Sequence, residues 1–182
     1  AATIDAEDDI NVQVYTASTT SWGNLSELST NVASSSRGGV GVVYETVSGD
    51  AVVVGCQSGA DPFYATWDGS SWSATSSINV TTNSACNWIS MAADPVSDEI
   101  IMVYRGVTDD YEAFVWDGDA WGNAKILGRV TDIRAEGMDV VYEESGDQAI
   151  VVSGDLNDNE FVYSAWDGST WTPTLSVAHT AD

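Results

Sequence analysis

The chain has 182 residues, and its 28 acidic side chains outnumber five lysines and arginines, which gives a formal net charge of −23. Such a polyanion cannot release counterions from the phosphates of DNA or RNA, so nucleic acid is excluded as a partner. The hydrophobic content of 43% is sufficient for a packed core. No run of residues is long and apolar enough to insert into a membrane.

The acidic residues are spread through predicted turns and loops along the whole chain, and two interpretations are open. One is a solvated surface adapted to concentrated salt, where screening over about 8 Å or less removes the self-repulsion. The other is an extracellular protein in which some carboxylates hold Ca²⁺.

Tryptophans recur at a nearly constant spacing. Trp22, Trp72, Trp121 and Trp171 are 50, 49 and 50 residues apart, and each of the last three closes a W-D-G-x-x-W motif. A period near 50 residues indicates one supersecondary unit that is copied and stacked, because a single copy cannot bury its apolar face alone. Residues 1–182 are therefore predicted to be a single repeat domain.

The predicted elements begin after an acidic N-terminal segment, residues 1–9. Residues 10–30 contain two strands that match only the second half of a later repeat, with Ala17 at the position of the first motif tryptophan. Three complete repeats follow, at residues 38–80, 88–130 and 136–178. Each is predicted to contain four short antiparallel strands, A to D, with A innermost. The predicted D strands are Trp72–Val80, Trp121–Leu127 and Trp171–Val177.

Four short antiparallel strands per repeat are typical of a propeller blade. The predicted fold is all-β: a propeller-like array of four-stranded antiparallel blades with repeats of about 50 residues, half a blade followed by three full blades. The Asp-Gly pairs predict hairpin turns with positive φ at both central positions. The half blade either stays two-stranded, or a second chain or a longer repeat protein completes the ring, or neighbours exchange strands into a polymer.

The two cysteines are predicted to form a disulfide. Cys56 ends strand B of the first full blade, and Cys86 precedes strand A of the next. The B–C loops and the D–A links lie on the same face of a propeller, so the bridge would tie these two blades together. A paired set of cysteines in a Ser-, Thr- and Trp-rich chain indicates an extracellular or cell-surface protein.

Residues suited to catalysis are scarce. His179 is the only histidine, and no nucleophile elbow, phosphate loop or zinc-ligand spacing is present. We expect a protein that is not an enzyme and requires no cofactor, with Ca²⁺ as the one candidate ion.

The stretch from Ile100 to Trp121, IIMVYRGVTDDYEAFVWDGDAW, resembles a blade of the small fucose-binding β-propeller lectins. The resemblance implies carbohydrate recognition between blades, with ring faces supplied by Trp67, Trp72, Trp116, Trp121, Trp166 and Trp171. The alternative role for these tryptophans is packing between blades. The W-D-G turn is also loosely similar to the Asp-box hairpin of sialidase propellers, which is a structural turn.

The polar sugar ligands that the resemblance implies are missing. The family holds its sugar with an Arg on strand B and a Glu three residues before the first motif tryptophan. The Arg positions fall near Val53, Met102 and Val152, and the Glu positions are Tyr64, Ala113 and Tyr163. Hydrogen bonds to hydroxyls supply sugar specificity, so we do not expect fucose binding in the manner of that family.

Charged residues supply the remaining candidates. The acidic B–C loops offer possible Ca²⁺ ligands, the alternative being solvated loops. These residues are Asp109, Asp110, Glu112, Asp155, Asp158 and Glu160. Arg37 and Arg134 precede A strands on the same face, where they either neutralise these acids or bind a carboxylate ligand.

Two functions follow from these expectations. The first is a secreted, non-catalytic binding module for carbohydrate or another cell-surface ligand, in which weak sites repeated around a ring give avidity. The alternative is a structural subunit of an extracellular filament, appendage or surface layer, a homo-oligomer or polymer assembled by strand complementation.

Overall fold

The computed structural model describes residues 1–32, 38–81, 86–106, 110–129, 136–146, 148–155 and 160–178. The described residues contain no helix, and their fifteen strands form four antiparallel sheets. We number the sheets as blades 1 to 4 in chain order. The prediction of an all-β, propeller-like array of antiparallel blades is therefore confirmed.

The strands of the four blades follow one another along the chain. Blade 1 contains β1 (Ala2–Ile4), β2 (Ile10–Thr16) and β3 (Ser21–Ser29). Blade 2 contains β4 (Val40–Tyr44), β5 (Ala51–Gly55), β6 (Phe63–Trp67) and β7 (Ser76–Ser77). Blade 3 contains β8 (Cys86–Ala93), β9 (Ile100–Gly106), β10 (Asp110–Trp116) and β11 (Trp121–Arg129). Blade 4 contains β12 (Met138–Tyr142), β13 (Ala149–Gly154), β14 (Glu160–Trp166) and β15 (Leu175–Ala178).

Blade 1 has three strands, where the sequence predicted two. The additional strand β1 lies in the acidic segment and pairs with β2, so that Ala2 faces Val12 and Ile4 faces Ile10. It occupies the position of strand B. Blade 1 therefore lacks only the innermost strand of a full blade among the described residues.

Tyr15, and not Ala17, occupies the position of the first motif tryptophan in blade 1. Tyr15 pairs across the hairpin with Trp22, as Trp116 pairs with Trp121. The ring centroids of Tyr15 and Trp22 are 5.3 Å apart. The assignment of Ala17 was wrong because the hairpin of blade 1 is two residues longer than the others, which counting from Trp22 could not show.

Strand D is shorter than predicted in blades 2 and 4. In blade 2, Ser73 Oγ accepts a hydrogen bond from the Thr66 N–H at 3.0 Å, so a side chain replaces part of the ladder. In blade 4, Thr172 Oγ1 accepts in the same way from Ala165 N–H at 2.9 Å, and Pro173 follows with no N–H to donate.

The core lies between the blades. Because successive residues of a strand point to opposite faces, each inner strand contributes side chains to both neighbouring interfaces. Ile10 and Phe63 pack between blades 1 and 2. Val54 and Met102 pack between blades 2 and 3, and Val103 packs with residues of blade 4.

The predicted disulfide is present. Cys56 and Cys86 are joined with a Cα–Cα distance of 5.1 Å, and they are 30 residues apart in the sequence. The bridge connects the end of strand β5 in blade 2 to the start of strand β8 in blade 3. It therefore links two adjacent blades covalently, as expected from the topology.

Candidate functional site

The three W-D-G-x-x-W hairpins share one geometry that differs from the prediction. Only the glycine has positive φ, as at Gly69 (87°), and it is the first of the two central residues, the arrangement of a type II′ turn. The aspartate precedes the turn, and its carboxylate accepts hydrogen bonds from the backbone. In blade 2, Asp68 Oδ1 accepts from Ser70 N–H at 2.8 Å and from Ser71 N–H at 2.7 Å.

The hairpins of blades 2 and 4 also place hydroxyl groups on the aspartate. Ser70 and Ser71 donate to Asp68, and Ser169 and Thr170 donate to Asp167. Backbone and hydroxyl donors together lower the pKa of Asp68 and of Asp167 to about 2. Blade 3 has Asp119 and Ala120 at the equivalent positions, and its hairpin therefore has no such hydroxyls.

The first motif tryptophans are structural. Trp67, Trp116 and Trp166 are at most 5% exposed, so the exposed ring face expected of Trp116 is absent. Trp116 Nε1 donates to Glu45 of blade 2 at 2.5 Å, and Trp166 Nε1 donates to Glu99 of blade 3 at 2.8 Å. Trp116 and Trp166 thus each pack on the preceding blade and satisfy their polar atom there.

Glu99 also accepts a hydrogen bond from the Tyr142 hydroxyl at 2.8 Å. Burial of the phenol and this neighbouring carboxylate raise the pKa of Tyr142 far above its usual range. The Tyr142 hydroxyl therefore stays protonated across the physiological pH range.

The second motif tryptophans remain partly exposed. Each contacts its first tryptophan, with ring centroids 5.3 Å apart for Trp67 and Trp72. Trp72 Nε1 donates to the Asn24 carbonyl of blade 1 at 3.0 Å, and Trp171 Nε1 donates to the Asn123 carbonyl of blade 3 at 2.7 Å. In both cases the acceptor residue has positive φ, 52° at Asn24 and 49° at Asn123.

A groove of about 300 Å³ lies where blades 1 and 2 meet. One wall is strand β3 of blade 1, and the other is the hairpin of blade 2. Its lining residues are Asn24, Leu25, Ser26, Trp67, Ser70, Ser71 and Trp72. The groove therefore combines an aromatic surface with hydroxyl and amide groups, a combination found in small-molecule binding sites.

Lys125, the only lysine of the sequence, spans the corresponding region between blades 3 and 4. Lys125 occupies the position of Ser26, and its Nζ donates to the Thr172 carbonyl at 2.9 Å. The hairpin wall again carries hydroxyls, from Ser169 and Thr170. This second region thus has the same construction with a cation bridging its two walls.

Strand register shows which strand B residues face the positions that the resemblance assigns to Glu. Tyr64 lies opposite Val54, Ala113 opposite Val103, and Tyr163 opposite Val152. The residues at all of these positions are apolar or aromatic.

The acidic candidates do not form one cluster in the described residues. No group of three or more His, Cys, Asp or Glu side chains is placed there to hold a metal ion. Asp110, Asp155 and Glu160 are partly buried, whereas Asp109 and Asp158 lie outside the described residues. His179 also lies outside them.

Glu112 lies in strand β10, and not in the acidic loop where the sequence placed it. It is fully buried against blade 2, and its carboxylate accepts hydrogen bonds from the Tyr104 hydroxyl at 2.9 Å and from Thr81 Oγ1. Alternation along the strand explains the difference, because every second residue after Asp110 points toward blade 2. Through these bonds Glu112 anchors Thr81, which follows the last strand of blade 2.

The basic candidates Arg37 and Arg134 lie outside the described residues. Sequence reasoning did not single out Arg105, which is fully buried with its guanidinium 5.7 Å from the centre of the Tyr111 ring. Its position at the end of an otherwise apolar strand was the available signal. Among the described residues, no helix could cross a membrane.

Comparison with known proteins supports the fold. No family model matches the chain, and none of the curated proteins matches it. Among solved structures, it is similar to the BP39L lectin from Burkholderia pseudomallei, with a TM-score of 0.71 and 12% identity over 97% of this chain and 51% of that chain. It is also similar to the fucose-specific lectin from Aleuria aurantia, with a TM-score of 0.56 and 13% identity over 96% of this chain and 55% of that one.

A sialidase is similar as well. The K499G mutant of NanB sialidase from Streptococcus pneumoniae matches with a TM-score of 0.52 and 12% identity, over 86% of this chain and 26% of that chain. The present chain spans about half the length of the two lectins. At these identities the likeness shows a β-propeller fold alone.

Proposed function

We propose that this chain is a non-catalytic carbohydrate-binding module that acts outside the cell, and that it binds sugar in the groove between blades 1 and 2. The observation that carries the proposal is the groove itself, in which the Trp67–Trp72 pair lies beside Ser70, Ser71 and Asn24. The lectin-like fold and the disulfide are consistent with this role.

The groove matches the two sides of a sugar ring. The partly exposed indole of Trp72 offers an apolar surface for C–H groups. The hydroxyls of Ser70 and Ser71 donate to Asp68, so their free lone pairs are oriented to accept hydrogen bonds from sugar hydroxyls. Apolar or aromatic residues stand at the positions that the resemblance assigns to the Arg and Glu of the fucose-binding family, so the expected specificity differs from fucose.

A glycan array followed by calorimetry on the best ligand tests this proposal. Trp72→Ala should raise the dissociation constant about thirtyfold, the effect of losing a central aromatic anchor. Trp121→Ala is the matched control, because Trp121 has the same motif position beside a hairpin without hydroxyls. Equal losses in both variants, or no glycan ligand at all, would contradict the proposal.

Lys125→Ser gives a gain-of-binding test. It replaces the bridging lysine by the residue that blade 1 has at this position. The number of bound sugars per chain should rise from one to two. A ratio that stays at one would show that the similar construction of the two regions does not make a second site.

The alternative function, a filament or surface-layer subunit built by strand complementation, is favoured by one observation. Within the described residues β1 pairs only with β2, which leaves the inner edge of blade 1 open to a strand from a neighbour. Electron microscopy of the whole chain and of a chain lacking residues 1–9 tests it. Filaments should form only from the whole chain; filaments from both, or from neither, would contradict it.

Ca²⁺ binding and adaptation to salt stay predictions. Calorimetric titration with CaCl₂ would detect the ion, and unfolding on dilution from molar salt would indicate a halophilic protein. Absence of heat in the first experiment and indifference to salt in the second would remove these two explanations of the acidic surface.

A further inference from the structure

The serine hydroxyls in the groove between blades 1 and 2 offer a ligand only hydrogen-bond acceptors. Ser70 Oγ donates to the Asp68 carboxylate at 2.8 Å, and Ser71 Oγ donates to it at 3.2 Å. Because a hydroxyl has a single hydrogen, each of these oxygens has only lone pairs left for a ligand. The two serines therefore favour a ligand group that donates several hydrogen bonds at once.

The electrostatic environment of this groove is negative. Asp68 is exposed, and the hydrogen bonds that it accepts, first of all from the Ser71 N–H, lower its pKa to about 2, so it is ionised at neutral pH. None of the lining residues is charged. Of the basic side chains that the structure describes, Arg105 is buried in blade 3 and Lys125 bridges blades 3 and 4. With a net charge of −23, the chain attracts a cationic ligand and repels an anionic one.

The aromatic side of the groove also suits a cation. Trp72 is partly exposed and lies against Trp67, with ring centroids 5.3 Å apart. Its N–H donates to the Asn24 carbonyl at 3.0 Å, so the indole offers a ligand its π surface and not a donor. A π surface attracts an ammonium group, and it also packs against the C–H groups of a sugar ring. The indole, the acceptors and the carboxylate are therefore complementary to a sugar that carries a positive charge.

Given the carbohydrate-binding function proposed above, on which this inference rests, we propose that the groove recognises amino sugars: glycans with free, protonated amino groups, such as oligomers of glucosamine. The ammonium group donates to the oxygens of Ser70 and Ser71 and pairs with Asp68, while the sugar ring packs on Trp72. An N-acetylated sugar has one N–H and no charge at the same position. The free amine should therefore bind about tenfold more tightly than its acetylated counterpart.

Calorimetry with two matched ligands, the tetramer of glucosamine and the tetramer of N-acetylglucosamine, tests the proposal. The glucosamine tetramer should bind about tenfold more tightly at low salt, and salt should reduce this preference by screening. Raising the pH until the amine is neutral should remove the preference, because Asp68 is already ionised throughout that range. Spermine, a polyamine without a sugar ring, measures general attraction to the acidic surface.

Asp68→Asn tests the carboxylate itself. The variant keeps an oxygen that can accept the backbone hydrogen bonds of the hairpin and removes the charge. It should reduce the preference for the glucosamine tetramer about fivefold, the effect of losing an exposed ion pair. Asp117→Asn is the matched control, because Asp117 accepts the same backbone bonds, at 3.0 and 2.8 Å, in the hairpin of blade 3. This control should keep the full preference, and circular dichroism checks that both variants are folded.

The failure of this inference can be distinguished from the failure of the proposed function. Equal or tighter binding of the acetylated tetramer, lost in Trp72→Ala, would overturn the assignment to amino sugars and leave a carbohydrate site in the groove. Spermine binding as tight as that of the glucosamine tetramer, or equal losses in Asp68→Asn and Asp117→Asn, would also overturn it by showing attraction to the whole acidic surface. A chain that binds no glycan would contradict both proposals.

Discussion

The interface between blades 2 and 3 is built differently from the interfaces on either side of it. Between blades 1 and 2, and again between blades 3 and 4, the second motif tryptophan donates its N–H to an Asn carbonyl of the preceding blade. Within the described residues, Trp121 Nε1 has no acceptor, and the interface of blades 2 and 3 is instead joined by the disulfide and by the Glu112–Thr81 hydrogen bonds.

The difference shows that the structural repeat is a pair of blades. Strand D has nine residues in blades 1 and 3, with the same Asn at positive φ, and only two or four residues in blades 2 and 4. Trp22 and Trp121 are 99 residues apart, as are Trp72 and Trp171. Each pair forms its own Trp–Asn contact, and the disulfide joins one pair to the next.

The largest effect on stability is expected from removing the disulfide that links the first pair of blades to the second. Replacing Cys56 and Cys86 by Ala should lower the free energy of unfolding by about 3–4 kcal/mol, because the bridge closes a 30-residue loop in the unfolded chain. Urea unfolding with and without reductant measures it. Reductant should have no effect on the double variant. Equal stability of the double variant and the unreduced original chain would show that the disulfide does not stabilise the contact between the two pairs of blades.

A smaller effect is expected at the positive-φ asparagines. Asn123→Val should cost about 1–2 kcal/mol, because a β-branched residue is strained at φ 49°. Asn123→Gly should be nearly neutral. Ala74→Val, at the equivalent position of blade 2, is the control, and thermal unfolding compares the three. An equal loss at Ala74 would contradict the distinction between the two kinds of blade.

The tryptophan hydrogen bond itself should contribute about 1 kcal/mol. Trp171→Phe removes the bond to Asn123 together with part of the ring, whereas Trp121→Phe removes a comparable ring area and a buried N–H that has no acceptor in the described residues. Trp171→Phe should therefore be the more destabilising of the two variants in urea unfolding. Equal destabilisation would mean that the bond adds nothing to the packing of the indole.

The smallest expected effect is the loss of stability at low pH. Asp68 and Asp167 have a folded pKa of about 2 against an ordinary 3.8, so the folded state holds fewer protons than the unfolded state between these values. Their contribution to stability is complete above about pH 4 and is lost as the pH falls through 2. Carboxyl ¹³C NMR titration measures the two pKa values, and Ser70→Ala should raise that of Asp68. An unchanged pKa in Ser70→Ala would exclude the hydroxyl as a cause.

The sequence was sufficient to predict the blades and the disulfide. Alternating apolar strands around the W-D-G motif predicted the blades, and topology predicted the pairing of Cys56 with Cys86. It was insufficient where one side chain replaces a backbone partner, as Ser73 does in blade 2. It also failed for Glu112, because a carboxylate near a loop is expected in solvent unless its buried donors, Tyr104 and Thr81, are known.

The candidate site was predicted only in part. The motif suggested tryptophans between blades, but spacing alone could not distinguish the buried Trp67 from the partly exposed Trp72. The hydroxyls that complete the groove come from the two x positions of the W-D-G-x-x-W motif. These positions differ between copies, so comparison of the repeats does not identify them as functional. Strand β1 was missed because three residues in an acidic segment are too short a pattern to identify.

The disulfide has a mechanical consequence. If the chain is pulled from its two ends, the force passes directly from the end of β5 to the start of β8 through the sulfur atoms, and the intervening residues carry no load. The outer strands β6 and β7 of blade 2 lie in this shielded loop. Full extension would be shorter by roughly 100 Å, at about 3.5 Å for each of the 30 residues. The hairpin of blade 2, which forms one wall of the groove between blades 1 and 2, would therefore bear no force while the rest of the chain is under tension.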